Sequence, residues 1–172
     1  ENVKELAKKV KFCTFIQKKP MGVANAIFQA KDFIGKDPCA ISFCDDIVDS
    51  KIPCLEQLQE MFLTCGRPIL ALKKMPAERL SSYGVVKVEK IANRFYKIKS
   101  VSEKPKLENA PSDLAILGRM ILTPDVIEYL SNNKDTMVKD RSITVTLGEM
   151  AELGKAIYGY EIDGDWLECG DI

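Results

Sequence analysis

The chain has 172 residues, 46% of them apolar, with 25 Lys and Arg balanced by 25 Asp and Glu and no histidine. That apolar content buries a real core and excludes a disordered chain, and the zero net charge excludes a bulk field that would draw the protein to nucleic acid or an anionic membrane. The missing histidine excludes Ser-His-Asp, Cys-His and histidine–metal chemistry within these residues, leaving carboxylates, lysines, backbone amides and a hard cation.

In chain order, the opening ENVKELAKKV is charged and unlike a signal peptide, and apolar runs such as LAILGRMILT are short and interrupted, so a soluble cytoplasmic protein is expected. Residues 11–16, KFCTFI, predict a strand ending at Gln17, with Pro20 and Gly22 forming the turn after it. Val23, Ala26, Ile27, Ala30, Phe33 and Ile34 recur at helical spacing and predict a helix over 23–34, closed by Gly35 to Pro38. CAISFC, residues 39–44, reads as a strand buried on both faces of a parallel sheet, with Asp45 and Asp46 at its carboxyl end. A second helix is predicted from Pro53 to Thr64, closed by Gly66, followed by the buried strand PILALKK. This alternation argues for an α/β layered domain with right-handed crossovers.

After Tyr83 the character changes. VVKVEKI, RFYKIKSVSEK and LAILGRMIL read as successive strands, helices follow around Pro124–Leu130 and Leu147–Leu153, and AIYGYEI and DWLEC read as strands, giving a mixed sheet. No internal repeat, low-complexity tract or linker interrupts the chain. Its six cysteines, Cys13, Cys39, Cys44, Cys54, Cys65 and Cys169, have no CxxC spacing and are expected to be free and buried.

Four stretches carry chemistry. In QKKPMGVANA, Gly22 permits close backbone approach and Gln17 offers an amide to a heterocycle edge; an ordinary strand-to-helix turn is the alternative. Asp45, at a strand end facing the crevice where open α/β sheets bind ligands, suits Mg²⁺, although a solvated turn would also use aspartate. In SEKPK, Glu103 suits sugar hydroxyls and Lys104 a phosphate. Neighbours on a strand face opposite ways, so both serve one site only if the strand ends there, as Pro105 implies; a solvated edge strand is the alternative. DGDWLECGD holds Asp163, Asp165, Glu168 and Asp171, a second carboxylate source for a cation or an exposed acidic turn. No site is assigned to DRSITVTLGEMAEL.

These stretches, in this order, resemble the bacterial UTP:glucose-1-phosphate uridylyltransferases (UDP-glucose pyrophosphorylases), within the sugar-1-phosphate nucleotidyltransferases. The resemblance rests on FIQKKPMGVANA, FCDDIVD, YGVV, the long run SEKPKLENAPSDLAILGRMILTP, and ECGD. It implies a partial Rossmann-like nucleotidyltransferase fold, an α/β architecture with a mixed, mainly parallel central sheet flanked by helices, residues 1–172 being part of a single domain. It further implies that Gln17 and Gly22 contact uracil, that Asp45 and Glu168 hold Mg²⁺, and that Gly84 and Glu103 meet glucose hydroxyls. Lys104 would meet the phosphate of glucose 1-phosphate, acting catalytically with Asp45, and Gly118 would line the sugar pocket. The implied reaction joins UTP and glucose 1-phosphate into UDP-glucose and pyrophosphate, with no nucleic-acid or membrane partner.

The sequence departs from the family at Ala24 and Asn25, which replace glycine and histidine, and at Glu168, which replaces aspartate and shifts the carboxylate by roughly 1.5 Å. The family's glycine-rich phosphate loop, Gly-x-Gly-x-Arg, and its closing helices have no counterpart here. These residues alone are therefore expected to form negligible UDP-glucose, and to leave a strand edge that a longer polypeptide or a homo-oligomer would cover. A thymidylyltransferase, another sugar-1-phosphate nucleotidyltransferase, or a non-catalytic nucleotide-sugar binding module of the same fold are the competing readings.

Overall fold

The computed structural model describes residues 3–133 and 141–169. Its elements are α1 (Val3–Lys8), α2 (Val23–Gln29), α3 (Lys31–Ile34), β1 (Cys39–Ser42), β2 (Asp46–Asp49), α4 (Cys54–Cys65), β3 (Ile69–Lys74), β4 (Gly84–Ala92), β5 (Phe95–Glu103), β6 (Leu114–Leu122), α5 (Pro124–Asn132), α6 (Ile143–Glu152), β7 (Tyr158–Glu161) and β8 (Asp165–Glu168). Short 3-10 turns cover Ala77–Ser82 and Leu107–Asn109.

Six strands form one sheet in the order β1-β6-β3-β7-β5-β4, and β2 pairs with β8 in a separate ribbon. The sheet is mixed, but the expectation that it is mainly parallel is corrected. Among the described strands only β3 and β7 pair in parallel within the sheet, and β1–β6, β3–β6, β4–β5, β4–β6 and β5–β7 are antiparallel. The cause is β6, which arrives late in the chain and inserts between β1 and β3, so that these two strands, which point the same way, do not adjoin.

Alternating side chains divide the core between the two faces, as the two-residue period of a strand requires. Leu70, Leu72, Ile116, Met120 and Leu122 pack with α2, α5 and α6 on one face, whereas Ile69, Ala71, Leu117 and Ile121 pack with Cys54 and Leu58 of α4 on the other. Helix α4 stops where expected: Gly66 takes the left-handed conformation at φ 59° and its N–H donates to the Phe62 carbonyl at 2.7 Å.

Three local expectations are also corrected. Residues 11–16 are not a strand; no described strand pairs with them, and Phe12 and Ile16 are exposed. The helix over 23–34 is broken at Ala30 into α2 and α3. CAISFC is not buried on both faces, because β1 lies at the sheet edge with alternate residues exposed. Cysteine burial differs as well: all six are free, but Cys13, Cys44 and Cys169 are exposed. Asp171 lies outside the described residues. Among those described, no helix is long and apolar enough to cross a membrane.

Candidate active site

A cavity of about 290 Å³ opens where the β2–β8 ribbon meets the sheet. Six of the residues singled out from the sequence line it: Asp45, Gly84, Glu103, Lys104, Gly118 and Glu168. A larger hollow of about 620 Å³ between α3 and α5, bordered by Lys31, Asp32, Lys36 and Glu128, contains none of them. Asp163 and Asp165 border a third hollow beside Lys73, away from the others.

Glu103 and Lys104 reach the same cavity because β5 ends between them. Glu103 is the last residue of β5, paired with Gly84, and Lys104 turns into the left-handed region at φ 45°. Its N–H is held by the Tyr83 carbonyl at 2.9 Å. That conformation costs a lysine roughly 1–2 kcal/mol, and the surrounding structure imposes it. The Lys104 side chain is exposed and no described carboxylate pairs with it. Glu103 is fixed differently: Thr144 donates its hydroxyl to Oε2 at 2.8 Å, with the Ser142 hydroxyl 2.6 Å from that of Thr144. A β-carbon on Gly84 would stand 3.2 Å from Glu103 Oε2, so glycine there leaves that carboxylate room.

Gly118 sits where β6 loses register with β3, between the pairs Leu70–Met120 and Leu72–Ile116. Its backbone turns to other partners. The carbonyl accepts from Phe43 N–H at 2.8 Å, and the N–H donates to Asp46 Oδ2 at 2.7 Å. Any side chain here would strike Phe43 and the Asp46 carboxylate. Such irregularities cluster beside functional sites because they free a stretch of strand to face a ligand.

The two adjacent aspartates separate into distinct roles. Asp46 is 8% exposed, and its other oxygen, Oδ1, accepts from Trp166 Nε1 at 2.6 Å, so the buried charge is answered by two donors. Asp45 is exposed in the turn before β2, with no described donor to its carboxylate. The ribbon brings it to Glu168: Asp46 and Glu168 are register partners, and Cys169 N–H donates to the Asp45 carbonyl at 2.9 Å. Glu168 accepts from Tyr83 and Arg79 through Oε2 alone. Burial of Tyr83, reinforced by the bond to Glu168 and partly offset by Arg79, pushes its hydroxyl up to about 12.

Gln17 and Gly22 lie outside the cavity. Gln17 Nε2 donates to the Gly22 carbonyl at 3.1 Å and to Asn25 Oδ1 at 2.8 Å. Gly22 precedes α2 with φ 85°, a conformation suited to glycine. Ala24 N–H donates to the Arg141 carbonyl, one residue before Ser142 in the cavity wall, so this turn borders the site. Sequence reasoning missed Tyr83, Trp166, Ser142 and Thr144, which also line it. The Tyr-Gly pair of YGVV was the available signal for Tyr83, and the stretch DGDWLECGD for Trp166; nothing local marked Ser142 and Thr144.

A mixed α/β sheet with a glycine-lined, carboxylate- and lysine-bearing cavity at its ribbon junction defines the class: the chain belongs to the nucleotidyl transferase family, whose sequence pattern matches residues 1–172. Among curated relatives it is 33% identical to the UTP–glucose-1-phosphate uridylyltransferase of Staphylococcus haemolyticus over 97% of this chain and 60% of that one. A crystal structure of UDP-glucose pyrophosphorylase complexed with UDP-glucose superimposes at TM-score 0.82 with 34% identity, over 90% of this chain and 59% of that one. An apo UDP-glucose pyrophosphorylase structure gives TM-score 0.85 at 33% identity, over 97% and 62%. The chain thus spans about 60% of the length of the curated relatives it matches.

Proposed function

We propose that these residues, as part of a single nucleotidyltransferase domain, form the sugar, phosphate and metal side of a UTP:glucose-1-phosphate uridylyltransferase. The observation that carries this reading is the convergence of Asp45, Gly84, Glu103, Lys104, Gly118 and Glu168 on one cavity from five separate stretches of chain.

In this reading Glu103, braced by Thr144, accepts from glucose hydroxyls beside Gly84 and Gly118, and Lys104 reaches the phosphate of glucose 1-phosphate. Gln17 and Gly22 serve the uracil edge. A phosphate oxygen of glucose 1-phosphate attacks the α-phosphorus of UTP in line, and pyrophosphate leaves. The protein supplies position and charge, without a nucleophile of its own, which suits a chain lacking histidine.

The donor set fits Mg²⁺ in a limited way. Asp45 has a free carboxylate and Glu168 a free Oε1, while no group of three ligating side chains occurs among the described residues. That is the pattern of a cation that keeps waters and takes its remaining oxygens from phosphates. Asp45 and Glu168 would hold it, and it would supply neutralisation of developing phosphate charge.

A pyrophosphate-release assay on the full-length protein, with UTP and dTTP offered separately, tests the reading. UTP-dependent turnover is expected, with Lys104→Ala lowering it about a hundredfold or more while UTP binding changes little. Preference for dTTP would assign a thymidylyltransferase. Absence of turnover would favour a non-catalytic binding module.

A further inference from the structure

Glu168 is a long side chain in a place that demands a fixed one. A glutamate has one more rotatable bond than aspartate, and a carboxylate at a Mg²⁺ position tolerates displacement poorly. Yet Glu168 does not hang free. Its Oε2 accepts from the Tyr83 hydroxyl at 2.5 Å and from Arg79 Nη2 at 3.1 Å, and the same Nη2 lies 2.6 Å from the Tyr83 oxygen. The three groups close a triangle, and Glu168 Oε1 is left without a described partner.

The triangle is anchored from behind. Tyr83 is 7% exposed, its ring lies 4.8 Å from the Trp166 indole, and Trp166 in turn donates to Asp46, which binds Gly118. Arg79 rises from the 3-10 turn that ends at Tyr83, so both donors come from one rigid corner, 89 and 85 residues from Glu168 in sequence.

We propose that Arg79 and Tyr83 are positioning residues that clasp Glu168 by one oxygen and present the other to the cation, offsetting the extra methylene of this glutamate. The proposal rests on the reading of Asp45 and Glu168 as the metal-holding pair. Neither Arg79 nor Tyr83 touches the cation; each acts through Glu168.

The test is Mn²⁺ binding to the full-length protein, followed by electron paramagnetic resonance, with urea unfolding of each variant reporting whether the corner remains packed. Tyr83→Phe keeps the ring and removes the donor, and Arg79→Lys, at a half-exposed position, removes the guanidinium nitrogen that reaches both Tyr83 and Glu168. Each is expected to weaken Mn²⁺ about tenfold and to lower kcat more than it raises KM for glucose 1-phosphate. In a Glu168→Asp background, where losing one methylene draws the carboxylate back from Tyr83, Tyr83→Phe is expected to have no further effect on Mn²⁺ affinity. Unchanged Mn²⁺ affinity in both Tyr83→Phe and Arg79→Lys, with Asp45→Asn weakening it, would overturn the clasp and leave the metal site standing. Unchanged affinity in Asp45→Asn and Glu168→Gln as well would overturn the metal site and the clasp together.

Discussion

Lys104 shows how a single residue joins sequence to site. Pro105 cannot continue the ladder and β5 ends before it, while Lys104, its N–H held by the Tyr83 carbonyl, takes φ 45°, so that two neighbours with opposite strand facings share one cavity. The end of the strand was legible, because Pro105 marks it; the left-handed turn of Lys104 was not, since Tyr83 holds it from 21 residues away. The strain makes a prediction: Lys104→Gly relieves the left-handed conformation and is expected to raise stability by about 0.5–1 kcal/mol in urea unfolding, after glycine's own entropy is counted, while turnover falls as for Lys104→Ala. A loss of stability would mean the lysine side chain holds the corner together. The division between Asp45 and Asp46 was not legible, since the donors that bury Asp46 stand 72 and 120 residues away.

Tyr83 carries a pH signature of its own. Its hydroxyl is raised from the ordinary value of 10 to about 12, first by burial and then by Glu168. A raised value favours the protonated native state, so the contribution is fully present below pH 10 and is lost as the pH rises from 10 towards 12. Unfolding followed over that range should therefore show the parent protein losing stability faster than Tyr83→Phe. Parallel pH profiles would show that Tyr83 ionises as freely in the folded state as in the unfolded one.

Among the elements, those decided by their own residues were read closely from the sequence. LAILGRMIL became β6 over the same residues, and α4 ended at the glycine that marked its end. Those decided by neighbours were not. CAISFC has the composition of a central strand but takes an edge, and KFCTFI has strand composition and no described partner. Pairing direction failed for the same reason: strand-helix-strand alternation presumes that successive strands adjoin, and the insertion of β6 between β1 and β3 is a contact across much of the chain. The register break in β6 also gives the element-scale prediction. Gly118→Ala drives a methyl group into Phe43 and Asp46, and is expected to cost roughly 1–3 kcal/mol in urea unfolding. A variant as stable as the parent would show that β6 shifts freely at the cavity wall.

At the scale of the whole molecule, the two faces of the sheet are packed with apolar side chains while the junction with the β2–β8 ribbon gathers the polar ones. Under the proposed function this junction, and not the larger hollow between α3 and α5, receives the nucleotide sugar and the cation. Crystals of the full-length protein grown with UDP-glucose and Mn²⁺ test it in one measurement. The expected result is an anomalous manganese peak in contact with Asp45 and Glu168, and glucose density beside Glu103 and Gly84 with Lys104 at the sugar phosphate. Manganese away from both carboxylates, or glucose density in the hollow lined by Lys31, Lys36 and Glu128, would contradict it.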